Sequence, residues 1–218
     1  MNSQIKAVVF DMDGVIFDTE TLYQKCWLSE APKYNIDNVE KLFLKMMGLS
    51  NSNIEKLFKS VYGEDFPCAE YRADVRSKIN ELIEKDGLTM KKGVLEILSF
   101  LKEEGYPVAL ATSTSRPSVE SHLKRSGIKQ YFDYIITGDE VKNSKPSPEI
   151  YINACRGLGV STENAIAVED SFNGIRSAFS AGMLPVMVPD TVMPDEEITT
   201  LLYKKFDNLL ELVEFLKQ

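Results

Sequence analysis

Short apolar runs separated by segments of helical period dominate the chain. Residues 5–10, 107–112, 134–137, 165–168 and 184–188 are each the length of a buried strand and carry few polar side chains. Between the last four lie 115–127, 147–157 and 171–182, with apolar residues three and four apart. Each of these opens on a serine able to cap a helix and closes near a glycine able to stop one. Alternation of strand and helix predicts a parallel sheet with right-handed crossovers, covered on both faces.

Residues 19–88 break that rhythm. They hold no strand-like run and show helical stripes instead: Leu42, Met46 and Met47, then Ile54, Leu57, Phe58 and Val61, then Val75, Ile79, Leu82 and Ile83. A helical subdomain of about 70 residues inserted after the first strand is the expectation. The boundaries assigned are 1–17 with 90–218 for the sheet core and 18–89 for the helical insertion. A helix over 93–104 leads back into the sheet.

Composition narrows the partners. Of 218 residues, 44% are hydrophobic and 27% charged, which excludes disorder. Lys plus Arg is 25 and Asp plus Glu is 33, leaving a net charge of −8, the wrong sign for a nucleic-acid binder. The apolar runs are far too short for a membrane span, and the N-terminal stretch, broken at Asp11 and Asp13, lacks the pattern of a signal peptide. Cys26, Cys68 and Cys155 form no Cys-x-x-Cys pair and are expected as reduced thiols. A cytoplasmic monomer acting on a small molecule is expected, with neither nucleic acid nor membrane as partner.

Ligands of open parallel sheets bind beyond the carboxyl ends of the strands, so the polar residues closing each apolar run matter most. The first run ends in Asp11-Met12-Asp13-Gly14, the second in Thr112-Ser113 and the fourth in Glu169-Asp170, with Lys145 shortly after the third. Several carboxylates at one site need a compensating cation, and oxygen-only ligands favour Mg²⁺. A lysine and a hydroxyl beside such a metal suit a phosphoryl group. Asp11 is then the candidate nucleophile and Asp13 the candidate general acid and base. Lys145 would offset phosphate charge and steady Asp11, while Thr112 and the Ser113 N–H would hold a phosphate oxygen.

In this order, Asp11-Met12-Asp13-Gly14-Val15, Thr112-Ser113, Lys145-Pro146 and Glu169-Asp170 resemble the four motifs of the haloacid dehalogenase (HAD) superfamily, over the whole chain. The resemblance implies an α/β fold, a Rossmann-like parallel sheet core with an inserted α-helical cap domain. It implies Mg²⁺ held by Asp11, the Asp13 carbonyl and Asp170, with Glu169 assisting directly or through water. It also implies that the cap closes over the site and supplies substrate contacts. Asp18-Thr19-Glu20 resembles the linker of the β-phosphoglucomutase-like branch, and Gly48-Leu49-Ser50 its substrate-sensing cap loop. Trp27 matches a tryptophan of the mutase cap, which makes Thr19, Tyr23, Trp27, Gly48, Leu49, Ser50 and Asn51 the candidate substrate residues.

Two departures weigh against mutase activity. Tyr23 stands where the mutase has a cap histidine, and Asn51 where it has an arginine gripping a second phosphate. The segment Lys91-Lys92-Gly93 also lacks the usual Pro-Gly. The leading expectation is therefore a Mg²⁺-dependent phosphatase of a small phosphorylated metabolite, a sugar phosphate above all, working through an aspartyl phosphate. A sugar phosphomutase is the runner-up. A dehalogenase would need neither Asp13 nor Asp170, and a phospho-acceptor domain would need no helical insertion. His122, the only histidine, is expected to pack or face solvent rather than catalyse.

Overall fold

The computed structural model describes residues 5–46 and 51–218. The described elements are, in chain order, β1 (Ala7–Phe10), α1 (Thr19–Glu30), α2 (Val39–Met46), α3 (Asn51–Tyr62), α4 (Cys68–Asp86), α5 (Val94–Glu103), β2 (Val108–Ala111), α6 (Arg116–Ser126), β3 (Tyr134–Ile136), α7 (Glu149–Leu158), β4 (Ala165–Glu169), α8 (Phe172–Ser180), β5 (Leu184–Met187), α9 (Glu196–Leu201), β6 (Lys204–Lys205) and α10 (Leu209–Leu216). The chain parts into two compact units, one comprising residues up to Asp18 with Leu88–Gln218 and the other Thr19–Gly87.

In the first unit, six described strands form one parallel sheet in the order β3-β2-β1-β4-β5-β6. This is the Rossmann-like α/β core expected. Side chains alternate across it. Val8, Phe10, Val108, Leu110, Ile166 and Val168 face one layer with apolar residues of α5, α6 and α10. Ala7, Val9, Ala109, Ala111, Ala165 and Ala167 face the other, packed with Ile150, Tyr151, Ala154 and Cys155 of α7 and Ala178 of α8. Alanines on that second face leave room for α7 to lie close to the sheet.

Strand register sets the site. Phe10 pairs with Leu110 on one side and Val168 on the other. One residue further on, Asp11, Ala111 and Glu169 stand side by side at the carboxyl edge. Beyond β1 the chain turns through Met12 to Phe17, where the Ile16 and Phe17 N–H groups both donate to the Met12 carbonyl. Phe17 then forms an antiparallel bridge with Met90, and the N–H of Asp18 donates to the Thr89 carbonyl at 2.9 Å, so the outgoing and returning segments are zipped together.

Some elements differ from the pattern-based expectation. β6 was not foreseen: two exposed lysines at the sheet edge give no apolar run, and lysine is the residue that keeps such an edge from pairing further. α9 and α10 were also missed, although Asp195 and Asn208 cap them by accepting the Ile198 and Leu210 N–H groups. α7 starts at Glu149 after Pro148, without a serine side-chain cap, and stops at Gly159 rather than Gly157. Ser171 does cap α8, accepting from the Gly174 N–H at 3.1 Å.

The second unit consists of α1 to α4 around an aromatic core. Phe58 is fully buried, and its ring lies 5.4 to 5.9 Å from those of Trp27, Tyr62, Phe66 and Tyr71. Leu42, Met46 and Val75 of the expected stripes are buried, whereas Val61 is exposed and Met47 lies outside the described residues. The three cysteines are buried and unbridged. Among the described residues, no helix is long and apolar enough to cross a membrane.

Candidate active site

Lys145 joins the three adjacent strand ends. Its ammonium donates to Asp11 Oδ1 at 2.5 Å, Glu169 Oε1 at 2.6 Å and the Ala111 carbonyl at 3.1 Å. Three N–H bonds meet three acceptors, so as placed the lysine steadies Asp11 and has no further donor for a phosphate oxygen. The side chains of Lys145, Asp11 and Glu169 are at most 10% exposed, which makes this a buried charge cluster in which losing any member leaves the others uncompensated.

Glu169 is fully buried and saturated with donors. Oε1 also accepts from the Tyr151 hydroxyl at 2.7 Å, while Oε2 takes the Asp170 and Ser171 N–H groups, both at 3.2 Å, and the Ser171 hydroxyl at 3.0 Å. Lys145 also sits 5.0 Å from the centroid of the Tyr151 ring, within cation–π range. Burial works against the charge of Glu169, but Lys145 and these donors win and hold its carboxyl below the usual value. Burial likewise opposes the charge of Lys145, and Asp11 and Glu169 overcome it and keep the ammonium protonated.

Asp11 is the member left short of compensation. Burial pushes its carboxyl up, Lys145 pulls it down, and Glu169 and Asp13 push it up again, to about 8. Asp11, Glu169 and Asp170 each offer an oxygen, all within 4.8 Å of one another. Gly14 makes room for that group: with φ +78 it occupies a left-handed turn, and a Cβ there would fall 2.1 Å from Asp170 Oδ2. Oxygen-only donors, unbalanced negative charge and a turn cleared for a carboxylate together fit a hard divalent cation.

Asp13 sits apart from this cluster by its hydrogen bonds. Its Oδ2 accepts from the Thr114 hydroxyl at 2.7 Å and from Thr112 Oγ1 at a long 3.5 Å. Thr112 is fully buried and its hydroxyl also accepts the Thr114 N–H at 3.1 Å, while Ser113 is exposed. The two aspartates of the first motif therefore occupy different environments, one clamped by an ammonium and one held by hydroxyls.

The chain belongs to the haloacid dehalogenase-like hydrolase family. The family's pattern matches residues 8–188, spanning β1 to the end of the β5 run. A phosphorylated carbohydrates phosphatase of Thermotoga maritima is 34% identical over 182 residues, covering 82% of each chain. Among solved structures, a Thermotoga maritima protein described as a candidate β-phosphoglucomutase superposes with a TM-score of 0.81 at 30% identity, covering 98% of this chain and 99% of its own. CbbY from Rhodobacter sphaeroides, solved with phosphate, gives 0.73 at 28% identity over 95% and 96% of the two chains. Family membership makes the protein an enzyme, a HAD-type hydrolase.

Of the expected site residues, Asp11, Lys145, Glu169 and Asp170 come together, and Asp13 joins Thr112 through hydroxyl contacts. Trp27 is packed against Phe58 and Tyr71 inside the helical unit, a core position. Thr19 is buried and its hydroxyl has no hydrogen-bond partner among the described residues; Tyr23 is half-buried. Gly48, Leu49 and Ser50 lie outside the described residues, as does the side chain of Asn51, which opens α3. His122 is half-buried in α6 with its ring edge-on to Phe17, and burial lowers its pKa. Thr114, Tyr151 and Ser171 were missed. Thr114 repeats the two-residue spacing of the Asp11 and Asp13 pair and was legible; a tyrosine on an amphipathic helix gives no sign of its hydroxyl's partner.

Proposed function

We propose that the protein is a Mg²⁺-dependent phosphatase of small phosphorylated carbohydrates, working through an aspartyl phosphate on Asp11. The observation that carries this reading is the split between two carboxylates two residues apart: Asp11 is held by Lys145 at 2.5 Å, Asp13 by Thr114 at 2.7 Å. Environments that separate two carboxylates assign them different tasks. Similarity to a phosphatase of phosphorylated carbohydrates supports the substrate class.

In this reading an Asp11 oxygen attacks phosphorus while the ester P–O bond breaks, and Asp13 protonates the departing sugar oxygen. Water then gives a proton to Asp13 and attacks phosphorus, breaking the Asp11–P bond and freeing inorganic phosphate. Lys145 aims Asp11 and pulls it towards the ionised form against its burial, and the positive charge of a bound cation would complete that ionisation. Asp11, Asp170 and the Asp13 carbonyl would hold Mg²⁺, with Glu169, its oxygens taken by other donors, assisting from behind by holding Lys145, and the ion would supply positive charge to the phosphoryl oxygens. Thr112 and the Ser113 N–H would receive a phosphate oxygen. The helical unit is assigned the cap's task of recognising the sugar, with Thr19, Tyr23 and the 48–51 segment as its candidates.

The test is phosphate release from a panel of sugar phosphates and nucleotides, with and without Mg²⁺, beside Asp11→Asn and Asp13→Asn. Metal-dependent release is expected from sugar phosphates, and each substitution is expected to lower it by about 10⁴-fold or more. Release that survives Asp11→Asn rejects the nucleophile. Similarity to a candidate β-phosphoglucomutase keeps a phosphomutase as the second reading. Conversion of glucose 1-phosphate to the 6-phosphate with a bisphosphate primer is its signature.

A further inference from the structure

An acid that must give a proton to one oxygen and take it from another needs a fixed direction. Asp13 is half-buried, and its Oδ2 is occupied by the Thr114 hydroxyl at 2.7 Å, with Thr112 Oγ1 at 3.5 Å on the same atom. Thr114 is itself braced from behind. Its N–H donates to Thr112 Oγ1 at 3.1 Å, and its carbonyl accepts the Gly138 N–H at 3.1 Å.

Gly138 follows β3, and a Cβ there would lie 2.2 Å from the Ser113 carbonyl oxygen, so only glycine lets the two loops lie flush. Next to it, Asp139 Oδ1 accepts from the Arg116 N–H at 3.0 Å and the Thr137 hydroxyl at 2.6 Å. Glu140 closes a capping box on Thr137. A continuous chain of hydrogen bonds thus runs from the end of β3 through the loop after β2 to one oxygen of Asp13.

We propose that Thr114 is a positioning residue for the acid and base step, its hydroxyl holding Asp13 Oδ2 so that Oδ1 is the oxygen that exchanges the proton. This rests on the assignment of Asp13 made above. In the first step the proton on Asp13 Oδ1 passes to the ester oxygen as its bond to phosphorus breaks. In the second, water returns a proton to Oδ1 as its oxygen bonds to phosphorus. Thr114 keeps its own proton throughout.

A hydroxyl that merely packed the loop would affect all substrates alike. One that aims Asp13 affects them according to how much their leaving group needs a proton. The experiment compares kcat/KM of the Mg²⁺-supplied enzyme on p-nitrophenyl phosphate, phenyl phosphate and glucose 6-phosphate for the wild type, Thr114→Val and Thr114→Ser. Thr114→Val keeps the shape and removes the donor. It is expected to lower kcat/KM about tenfold or more for glucose 6-phosphate and less than about threefold for p-nitrophenyl phosphate, whose anion leaves unprotonated. Thr114→Ser restores most of the loss.

Thr114→Ala, which removes the donor and adds no bulk, gives the same leaving-group selectivity and serves if the valine variant fails to fold. Equal losses on all three esters, or no rescue by serine, overturn the positioning role. Asp11→Asn on p-nitrophenyl phosphate separates the two levels. If it is inactive while Thr114→Val is unselective, only this inference fails; if it stays active, the nucleophile reading fails and this one with it.

Discussion

The two units bury opposite kinds of group at their centres. In the sheet unit, Asp11, Lys145 and Glu169 lie at the carboxyl edge with every lysine N–H matched to an acceptor. In the helical unit, Phe58, Trp27, Phe66 and Tyr71 form an aromatic cluster held by shape and apolar area. Aromatic packing tolerates adjustment because it has few directional demands. A buried charge cluster does not, since each ion depends on the geometry of the others. The first centre therefore can do chemistry and the second can only hold a fold, and single substitutions should expose the difference.

The largest expected effects set one against the other. Lys145→Met leaves Asp11 and Glu169 buried without their cation and is expected to cost about 3–5 kcal/mol of stability and to abolish turnover. Phe58→Ala opens a cavity in the aromatic cluster and is expected to cost a similar amount, about 3–5 kcal/mol. Urea unfolding followed by tryptophan fluorescence distinguishes them, because Trp27 is the only tryptophan and reports on the helical unit. Phe58→Ala should move the fluorescence transition well ahead of the far-UV circular dichroism transition. Coincident transitions in that variant would show the two centres to be one cooperative core and would dissolve the contrast.

The same contrast explains what the sequence revealed. The charge cluster was legible because an apolar run ends near the end of its strand, so the next polar residue, Asp11 or Glu169, marks the carboxyl edge of the sheet, where ligands of such sheets bind, before any coordinates exist. Lys145 was found by its place after the third run and ahead of Pro146. Its spent donors were not, since the Ala111 carbonyl and the Tyr151 ring become neighbours only through register and the close approach of α7. β6 escaped because two lysines carry no apolar signal. In the helical unit, periodicity gave helices but not the direction of any side chain. Trp27 stood among the candidate substrate residues on resemblance and is packed against Tyr71 at 4.9 Å between ring centroids.

Metal binding sharpens the comparison at an intermediate size, because only the sheet unit should respond. The Asp11 carboxyl is raised by burial, against the pull of Lys145, to about 8, above its value in an unfolded chain. The folded state then binds the extra proton, so this group makes the metal-free fold less stable as pH climbs from the ordinary carboxylate range towards 8. A divalent cation bound there would compete with that proton and offset the loss. A fixed Mg²⁺ concentration, about 100 times its Kd at about pH 8, is expected to add about 2.7 kcal/mol at that pH by mass action, and less at about pH 6 where the proton on Asp11 weakens binding. The increment in Tm should be larger at about pH 8 than at about pH 6, and Asp170→Asn should remove it. Equal increments at both pH values would mean that the ion does not compete for Asp11.

The smallest effect comes from deleting one oxygen in each unit. Tyr71 and Tyr151 are both fully buried, and each donates one hydrogen bond, Tyr71 to the Trp27 carbonyl at 2.5 Å and Tyr151 to Glu169 Oε1 at 2.7 Å. Replacing either by phenylalanine keeps the ring, and with it the aromatic contacts of Tyr71 and the face that Tyr151 turns to Lys145. Only the acceptor differs, a neutral carbonyl in one case and a carboxylate in the other. Tyr71→Phe should therefore cost about 1 kcal/mol and Tyr151→Phe about 1.5–3 kcal/mol, measured by urea unfolding at constant m-value. Tyr151→Phe should also lower kcat, because Glu169 helps to hold the lysine that steadies Asp11, whereas Tyr71→Phe should leave kcat on an aryl phosphate nearly as it was. If the two variants lose the same stability, the remaining donors on Glu169, Lys145 and Ser171 among them, are enough to satisfy its charge, and the cluster is more forgiving than its burial implies.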